Sequence, residues 1–200
     1  MPIKQQINIL SRAFGRGVFP HQMSWILDLP GRGLIMSAAT VAGRLPLKPD
    51  AQVLEVGPGS GYYSLAVAQC IPQGRLTLFD IQQDFLDQTA RKLSAAGLSN
   101  FATQRAEGAS WPFADQSFDA IFMVTVFGEI EGRDAFLKEA ARVLKDGGAL
   151  SITEHHPDPD FESAEQVSDA LRAHGFVPVQ KLGWRWAYTL NAVTPAAAKG

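Results

Sequence analysis

Residues 53–64 read Val-Leu-Glu-Val-Gly-Pro-Gly-Ser-Gly-Tyr-Tyr-Ser and carry the strongest structural signal in the chain. An apolar run of β type carries an acid at Glu55 and ends in three alternating glycines, Gly57, Gly59 and Gly61. A helix-like segment follows at 63–69. A strand, a glycine turn and a helix N-terminus together form the place in an α/β sheet where nucleotide-like ligands bind. Because glycine has no Cβ, such a turn bends sharply and lets a ligand approach the backbone.

The spacing of the glycines separates two classes of ligand. The dinucleotide fingerprint G-x-G-x-x-G requires a glycine at position 62, where the chain has Tyr62. Glu55 stands just before the turn, where it would repel a pyrophosphate, and an acid there suits a ligand with an ammonium group. A nicotinamide cofactor, and with it an oxidoreductase, is therefore the second interpretation.

This E-x-G-x-G-x-G arrangement resembles motif I of the class I, Rossmann-like S-adenosylmethionine-dependent methyltransferases. The resemblance implies that the turn at Gly57, Gly59 and Gly61 passes along the methionine part of the cofactor. It also implies that Glu55 helps to orient the cofactor's amino group.

A second strand, predicted at 75–79, ends at Asp80, about twenty residues beyond the glycine turn, as expected for a ribose-binding acid. A carboxylate at the tip of a strand can accept hydrogen bonds from both ribose hydroxyls. Ile81, the next residue, would supply an apolar face against the adenine.

Further landmarks follow in the order that the same family would give them. After a third strand at 100–105, the resemblance places Glu107 near the adenine amino group, with the backbone of Gly108 and Ala109 beside it. Residues 112–119, Pro-Phe-Ala-Asp-Gln-Ser-Phe-Asp, resemble the lead-in to the fourth strand of the ubiquinone and menaquinone methyltransferase group. We interpret Asp119, the last of these residues, as a capping acid.

The fourth strand, predicted at 120–124, should direct the residues after it toward the reacting centre, because ligands bind outside the carboxyl ends of such strands. Thr125 is therefore a candidate cofactor contact. No Asn-Pro-Pro-Tyr-like tetrapeptide follows, which counts against DNA adenine or glutamine as the acceptor. A helix at 133–144 and the strand at 149–153 frame a stretch that resembles the family's R-V-L-K-x-G-G motif III. The candidates for a general base are Glu129, Glu154, His155 and His21.

The predicted fold class is α/β, a doubly wound, mostly parallel seven-stranded sheet with an antiparallel last strand and an N-terminal helical lid. Residues 1–50 are expected to form the lid and to recognise the substrate, with one helix over 32–45. Residues 51–193 are expected to form the S-adenosylmethionine-binding domain, closed by strands at 177–182 and 184–193 about a turn near Gly183. Residues 194–200 resemble a disordered tail.

The composition of the chain excludes several classes of protein and of binding site. The chain has 200 residues, one cysteine and a net charge of −2, so it cannot form an internal disulfide and has no overall basic footprint for nucleic acid. No apolar run is long enough to span a membrane. Residues 154–160 are rich in acids and histidines, but their prolines keep adjacent side chains apart, so we expect no metal site. We expect a cytoplasmic protein and leave its oligomeric state open.

The predicted function is in-line transfer of a methyl group from S-adenosyl-L-methionine to a small-molecule or lipid-like acceptor. Residues 1–50 hold six basic residues and two acidic ones, and such a lid could favour an anionic acceptor. The alternatives are a protein that binds the same cofactor without transferring its methyl group and the NAD(P)-dependent oxidoreductase.

Overall fold

A seven-stranded sheet lies at the centre of the computed structural model, which describes residues 36–194. The strands are ordered β3-β2-β1-β4-β5-β7-β6. They comprise β1 (Gln52–Val56), β2 (Arg75–Asp80), β3 (Phe101–Arg105), β4 (Phe118–Val124), β5 (Leu144–His155), β6 (Val177–Trp184) and β7 (Ala187–Val193). Neighbours pair in parallel from β3 through β5, whereas β7 is antiparallel to both β5 and β6. The predicted seven-stranded sheet with an antiparallel last strand is therefore confirmed.

Helices cover both faces of this sheet. They are α1 (Ala38–Arg44), α2 (Ser64–Cys70), α3 (Gln83–Ala95), α4 (Arg133–Val143) and α5 (Ala164–Ala173). Apolar residues of α1, α2 and α3 share one buried cluster with Val53 and Leu78. Residues of α4 and α5 share the other cluster with Leu54 and Ile121. Consecutive residues of β1 thus point into opposite cores, as the pleat of a strand dictates, and the doubly wound arrangement is confirmed.

The described part of the segment expected to form a lid belongs to the body of the domain. Helix α1 begins at Ala38, because the Ser37 hydroxyl accepts a hydrogen bond from the Thr40 amide at 3.0 Å and so caps it. The predicted helix over 32–45 is therefore too long at its described start, and residues 32–35 lie outside the described part. At the other end of α1, the Arg44 carbonyl accepts a hydrogen bond from the Asn191 side chain at 2.9 Å, which ties α1 to β7.

The C-terminal hairpin also differs in detail from the prediction. Strand β6 continues through Trp184, so the turn lies at 185–186 rather than near Gly183. The register of the β6–β7 pairing shifts between Pro178 and Gln180, as at a β-bulge. Thr194, expected to start a disordered tail, is buried and donates from its hydroxyl to the Lys145 carbonyl at 2.8 Å. Residues 195–200 lie outside the described part.

The order of the strands fixes where a ligand can bind. The chain moves from β1 to β2 and β3 on one side, then returns to place β4 on the other side of β1. A crevice opens at this reversal, outside the carboxyl ends of the strands. Within residues 36–194, no helix combines the length and the apolar character needed to cross a bilayer.

Candidate functional site

A cavity of about 490 Å³ lies at the reversal of the strand order, outside the carboxyl ends of β1, β2 and β4. Its wall carries eight of the fourteen residues that the sequence singled out, namely Gly57, Gly59, Asp80, Ile81, Gly108, Ala109, Thr125 and Glu129. Five others, Glu55, Gly61, Glu107, Glu154 and His155, lie outside this wall among the described residues. His21, the remaining candidate, lies outside the described residues.

The glycine turn forms the floor of the cavity and is held by close packing. Gly57 has φ +67°, and a Cβ there would come within 2.6 Å of Val126 Cγ2, in the segment after β4. Gly61 has φ +76°, and a Cβ there would come within 2.8 Å of Thr89 Cγ2. The Thr89 hydroxyl in turn donates to the Gly59 carbonyl at 3.0 Å. Both glycines are thus required by their left-handed backbone and by a neighbour that leaves no room.

Glu55 lies beneath this turn on β1, between β2 and β4 in the sheet. Its side chain is 3% exposed, and its Oε2 atom is buried with no hydrogen-bond partner. Burial raises the pKa of Glu55 to about 8, and the neighbouring Asp80 carboxylate acts in the same direction. The Ser64 hydroxyl opposes this shift without making a hydrogen bond of standard geometry. A buried acid without a partner is costly and favours a cationic ligand beside it.

Asp80 ends β2 at the rim of the cavity and is 9% exposed. Its Oδ1 atom accepts a hydrogen bond from the Gln82 amide at 2.9 Å. Burial raises the pKa of Asp80 to about 6, although the amides of Gln82 and Ile81 lower it in part. Ile81 is 52% exposed on the wall of the cavity, so a flat apolar group could cover it. A carboxylate next to an exposed apolar side chain fits a ribose joined to a base.

The far end of the cavity is built from aromatic side chains and from backbone. Phe79 and Trp111 pack edge to face with ring centroids 5.1 Å apart, and both line the cavity. Gly108 and Ala109 line it on the β3 side, whereas the Glu107 side chain is exposed and lies outside the wall. The β3 loop therefore presents the cavity with Gly108 and Ala109 rather than with a carboxylate.

The segment after β4 carries the most unusual backbone in the site. Thr125 has φ +52°, which a β-branched residue rarely adopts, and its amide donates to the Thr153 carbonyl at 2.8 Å. Backbone strain of this kind concentrates at functional sites. The short 3₁₀ helix Phe127–Glu129 follows and places Glu129 on the wall of the cavity.

Glu154 and His155, at the end of β5, lie behind this wall. Glu154 is 1% exposed, and neither carboxyl oxygen has a hydrogen bond of standard geometry. Burial raises the pKa of Glu154 to about 9, with Asp158, Glu162 and Glu129 acting in the same direction and the Phe127 amide opposing them.

His155 is also buried and stands behind an aromatic residue of the wall. Its Nε2 atom lies 3.5 Å from the hydroxyl of Tyr63, which does line the cavity. Of the four candidates for a general base, Glu129 is the one on the described wall.

Sequence reasoning missed the residues that support the turn from other elements. Thr89 and Val126 are ordinary residues of a helix and a loop, and their importance follows only from what they touch. Asp119 behaves as interpreted, at the opposite end of the sheet. Its carboxylate accepts from the Gln52 amide at 2.7 Å and from Lys145 Nζ at 2.6 Å.

The charged residues on the described part of the wall all carry negative charge: Asp80, Glu129, Glu131 and Asp158. The rest of the wall is largely apolar and includes Trp111, Ile130 and Phe136. This arrangement favours a ligand with positive charge and an apolar body. Within residues 36–194, it gives an anionic ligand no basic partner on the wall.

Comparison with known proteins agrees with this geometry. Residues 53–148 match the family described as "Methyltransferase domain". The chain is 30% identical over 129 residues to a ubiquinone/menaquinone biosynthesis C-methyltransferase of Vibrio vulnificus, covering 64% of this chain and 49% of that protein. It is 32% identical over 130 residues to the protein of the same description from Bordetella parapertussis, covering 64% and 50%. The chain spans about half the length of these curated relatives.

Solved structures show the same fold. A SAM-dependent methyltransferase from Aquifex aeolicus superimposes with a TM-score of 0.81 at 25% identity, covering 88% of this chain and 99% of that chain. The [4+2]-cyclase SpnF superimposes with a TM-score of 0.70 at 23% identity, covering 80% of each chain. The second likeness concerns the fold alone.

Proposed function

We propose that this chain, which belongs to the class I S-adenosylmethionine-dependent methyltransferases, methylates a small-molecule or lipid-like acceptor. The transfer would proceed by in-line displacement. The observation that carries the proposal is the buried Glu55 carboxyl beneath the glycine turn, whose Oε2 atom has no hydrogen-bond partner. An unpartnered carboxyl oxygen beneath the turn can accept a hydrogen bond from a cationic group bound there, and the amino group of S-adenosyl-L-methionine supplies one.

We assign the cofactor to the residues that the sequence singled out at the glycine turn and at the ends of β2, β3 and β4. Glu55 would orient the amino group, while Gly57, Gly59 and Gly61 give the methionine part access to the backbone. Asp80 would accept hydrogen bonds from the ribose hydroxyls. The remaining contacts would come from Ile81, Gly108, Ala109 and Thr125, with Glu107 outside the wall in the described structure.

The cofactor supplies an electrophilic methyl group on a sulfonium, so the chain has to bind, align and desolvate. Alignment of two bound reactants can contribute about 7 to 11 kcal/mol to lowering the barrier. The strained backbone at Thr125 fixes the segment after β4 next to the glycine turn, where Val126 contacts Gly57. Glu129 would take a proton from an acceptor that carries one at neutral pH, because it is the candidate base on the wall.

The apolar wall supports an acceptor with an apolar body. Trp111, Ile130 and Phe136 line the cavity together with Val126, and no Lys or Arg of residues 36–194 joins them. The Vibrio and Bordetella relatives are described as C-methyltransferases of ubiquinone and menaquinone biosynthesis. We therefore propose an acceptor of similar character, an apolar ring bearing an electron-rich carbon or a hydroxyl.

The outer wall of the acceptor site completes the proposal. We assign it to residues 1–50, of which residues 1–35 lie outside the described part. Residues 51–193 then carry the transferase domain. We place the activity in the cytoplasm, since a chain with one cysteine forms no internal disulfide and gains no stability from an oxidising compartment.

Two alternatives remain open to test. A protein of this fold need not transfer a methyl group, because fold does not determine reaction, and a structural neighbour of this chain is described as a cyclase. A nicotinamide cofactor is the other alternative, although Tyr62 stands where its fingerprint needs glycine.

Calorimetry and a transfer assay distinguish these alternatives. We expect binding of S-adenosyl-L-methionine and of its demethylated product, and no binding of NAD. We also expect transfer of a labelled methyl group to soluble quinol analogues. Binding of NAD alone would overturn the proposal. Cofactor binding without transfer, across a screen of oxygen, nitrogen, carbon and sulfur acceptors, would favour a binding protein.

A further inference from the structure

The tip of the β6–β7 hairpin exposes two tryptophans that the site does not use. Trp184 is 70% exposed and Trp186 is 48% exposed, and both lie outside the wall of the cavity. Between them, Arg185 is also exposed, and its guanidinium carbon lies 4.6 Å from the centroid of the Trp186 ring. Large apolar groups exposed side by side on a protein surface commonly mark a place of interaction.

The tip is held in place by its neighbours. The His156 amide donates to the Trp186 carbonyl at 2.9 Å, and the two rings meet edge to face at 5.0 Å. His156 also packs on Phe161 at 4.2 Å between ring centroids, and Phe161 contacts Tyr188 of β7. The aromatic rings are thus presented outward by an anchored hairpin.

The tip lies at the same edge of the sheet as the cavity. Strand β6 is antiparallel to β7, and β7 is antiparallel to β5, so β6 and β5 end at the same edge. His156, which contacts the tip, is two residues from Asp158 on the wall of the cavity. A surface that holds the tip would therefore face the side on which the site opens.

The charge of the hairpin contrasts with that of the whole chain. Residues 177–193 contain two basic residues, Lys181 and Arg185, and no acidic residue, in a chain with a net charge of −2. Both basic residues are exposed. The adjoining acids, Asp158 and Asp160, are half-buried and buried. The exposed tip is therefore locally basic as well as aromatic.

We propose that residues 184–186 anchor the protein to the surface of a bilayer that contains anionic lipid. Tryptophan favours the boundary between headgroups and acyl chains, where its ring is apolar and its N–H can find a polar partner. Arg185 beside it complements an anionic headgroup. The tip joins two strands at the end of a hairpin and exposes aromatic and basic side chains together, which suits an anionic lipid surface. The inference rests on the proposed function, since a lipid-like acceptor would reach the cavity from such a surface.

Vesicle binding tests the anchor without any need for catalysis. We expect the full chain to sediment with phosphatidylcholine vesicles that contain phosphatidylglycerol, with a blue shift of tryptophan emission, and to bind less at high salt. Trp184→Ser should weaken binding about ten-fold, from the apolar area that it withdraws. Arg185→Gln should weaken it about five-fold on vesicles with anionic lipid. Val179→Thr is the matched control, because Val179 is 58% exposed on the same strand but away from the tip, and it should bind like wild type.

Three results would overturn the anchor: no binding to anionic vesicles, equal weakening by Val179→Thr, or a dimer in solution that dissociates on Trp184→Ser. The last would make the tip an interface between two copies of the chain. Methyl transfer to a soluble acceptor separates the two proposals. Methyl transfer without vesicle binding would refute the proposed anchor and leave the proposed function standing. Vesicle binding without cofactor uptake would refute the proposed function and leave the anchor standing.

Discussion

Replacing Glu55 with Gln should stabilise the protein without cofactor and weaken its hold on the cofactor. The substitution keeps the shape of the side chain and removes its ability to ionise. In the folded protein the pKa of Glu55 is raised from 4.5 to about 8 by burial. A group whose pKa is raised on folding stabilises the folded state fully only below its unfolded pKa, and that contribution is lost as the pH rises through the folded pKa.

The size of the stability effect follows from this shift. Ionising Glu55 fully in the folded protein costs about 5 kcal/mol, and about 3 kcal/mol of that is already felt at pH 7. Glu55→Gln removes this cost but buries an amide with incomplete hydrogen bonding, which reduces the gain in stability by about 1 kcal/mol. The net gain is about 2 kcal/mol, which for a chain of this size raises the midpoint of thermal unfolding by about 4 to 8 °C.

The effect on cofactor binding should have the opposite sign. A hydrogen bond to a charged group contributes about 1.5 to 3 kcal/mol, so its loss weakens binding by roughly 10- to 100-fold. Wild-type affinity should also rise as the pH increases from 6 to 7.5, because binding an ammonium requires Glu55 to ionise. The affinity of Glu55→Gln should lack this part of the pH dependence. Calorimetry across this pH range measures both quantities.

Glu154→Gln is the matched control for this experiment. Glu154 is buried to the same degree, and burial raises its pKa to about 9, but it lies on β5, which β4 separates from the strand that carries Glu55 and the glycine turn. The Glu154→Gln variant should therefore gain stability as Glu55→Gln does, while it keeps wild-type affinity for the cofactor. The reasoning fails if Glu55→Gln binds S-adenosyl-L-methionine as tightly as wild type with the same pH dependence. It also fails if both variants lose affinity equally.

Three further predictions come from the same site. Binding of S-adenosyl-L-methionine at pH 7 should release close to one proton per chain, since Glu55 with a pKa of about 8 is largely protonated before binding. Calorimetry in two buffers of different ionisation enthalpy measures this proton release. Equal heats of binding in the two buffers would contradict the prediction. Stability without cofactor should fall by about 2 to 3 kcal/mol per pH unit from pH 6 to 8, because Glu55 and Glu154 ionise more readily in the unfolded chain. Asp80, with a pKa of about 6, contributes mainly below this range. Denaturant unfolding at several pH values checks the sign. Thr89→Val should lose the hydrogen bond to the Gly59 carbonyl, costing about 1 kcal/mol of stability and lowering cofactor affinity several-fold, and a variant with unchanged affinity would show that the turn holds its shape without it.

The part of the candidate site at the glycine turn and at the end of β2 could be predicted from sequence because its determinants are local. A glycine that needs a left-handed backbone, or an acid at the tip of a strand, is fixed by its immediate neighbours along the chain. Gly57 and Asp80 were predicted in this way, and both line the cavity. Thr89 was not found, because its role depends on a contact with Gly61, 28 positions earlier in the chain, which only the tertiary structure reveals.

The candidate bases were harder to rank for a similar reason. Glu129, Glu154 and His155 all follow strands that end at the ligand edge, so position alone made them equivalent. The 3₁₀ helix after β4 turns Glu129 onto the wall, whereas β5 continues through His155 and keeps the last two residues within the sheet. The strand was expected to end at residue 153, and its two extra residues decide which acid can reach a ligand.

Glu55 and Asp80 together explain why binding and folding should be coupled in this domain. Both carboxyls are buried at adjacent strand ends, and the Asp80 carboxylate raises the pKa of Glu55 further. The protein without cofactor therefore carries two acids that prefer to be neutral, and a cationic ligand that makes hydrogen bonds to both relieves the cost of ionising them. The free energy of binding therefore includes the relief of the cost of burying these two carboxyls in the folded protein. Stabilising substitutions at Glu55 or Asp80 should for this reason weaken binding, whereas the same substitution at Glu154 should not.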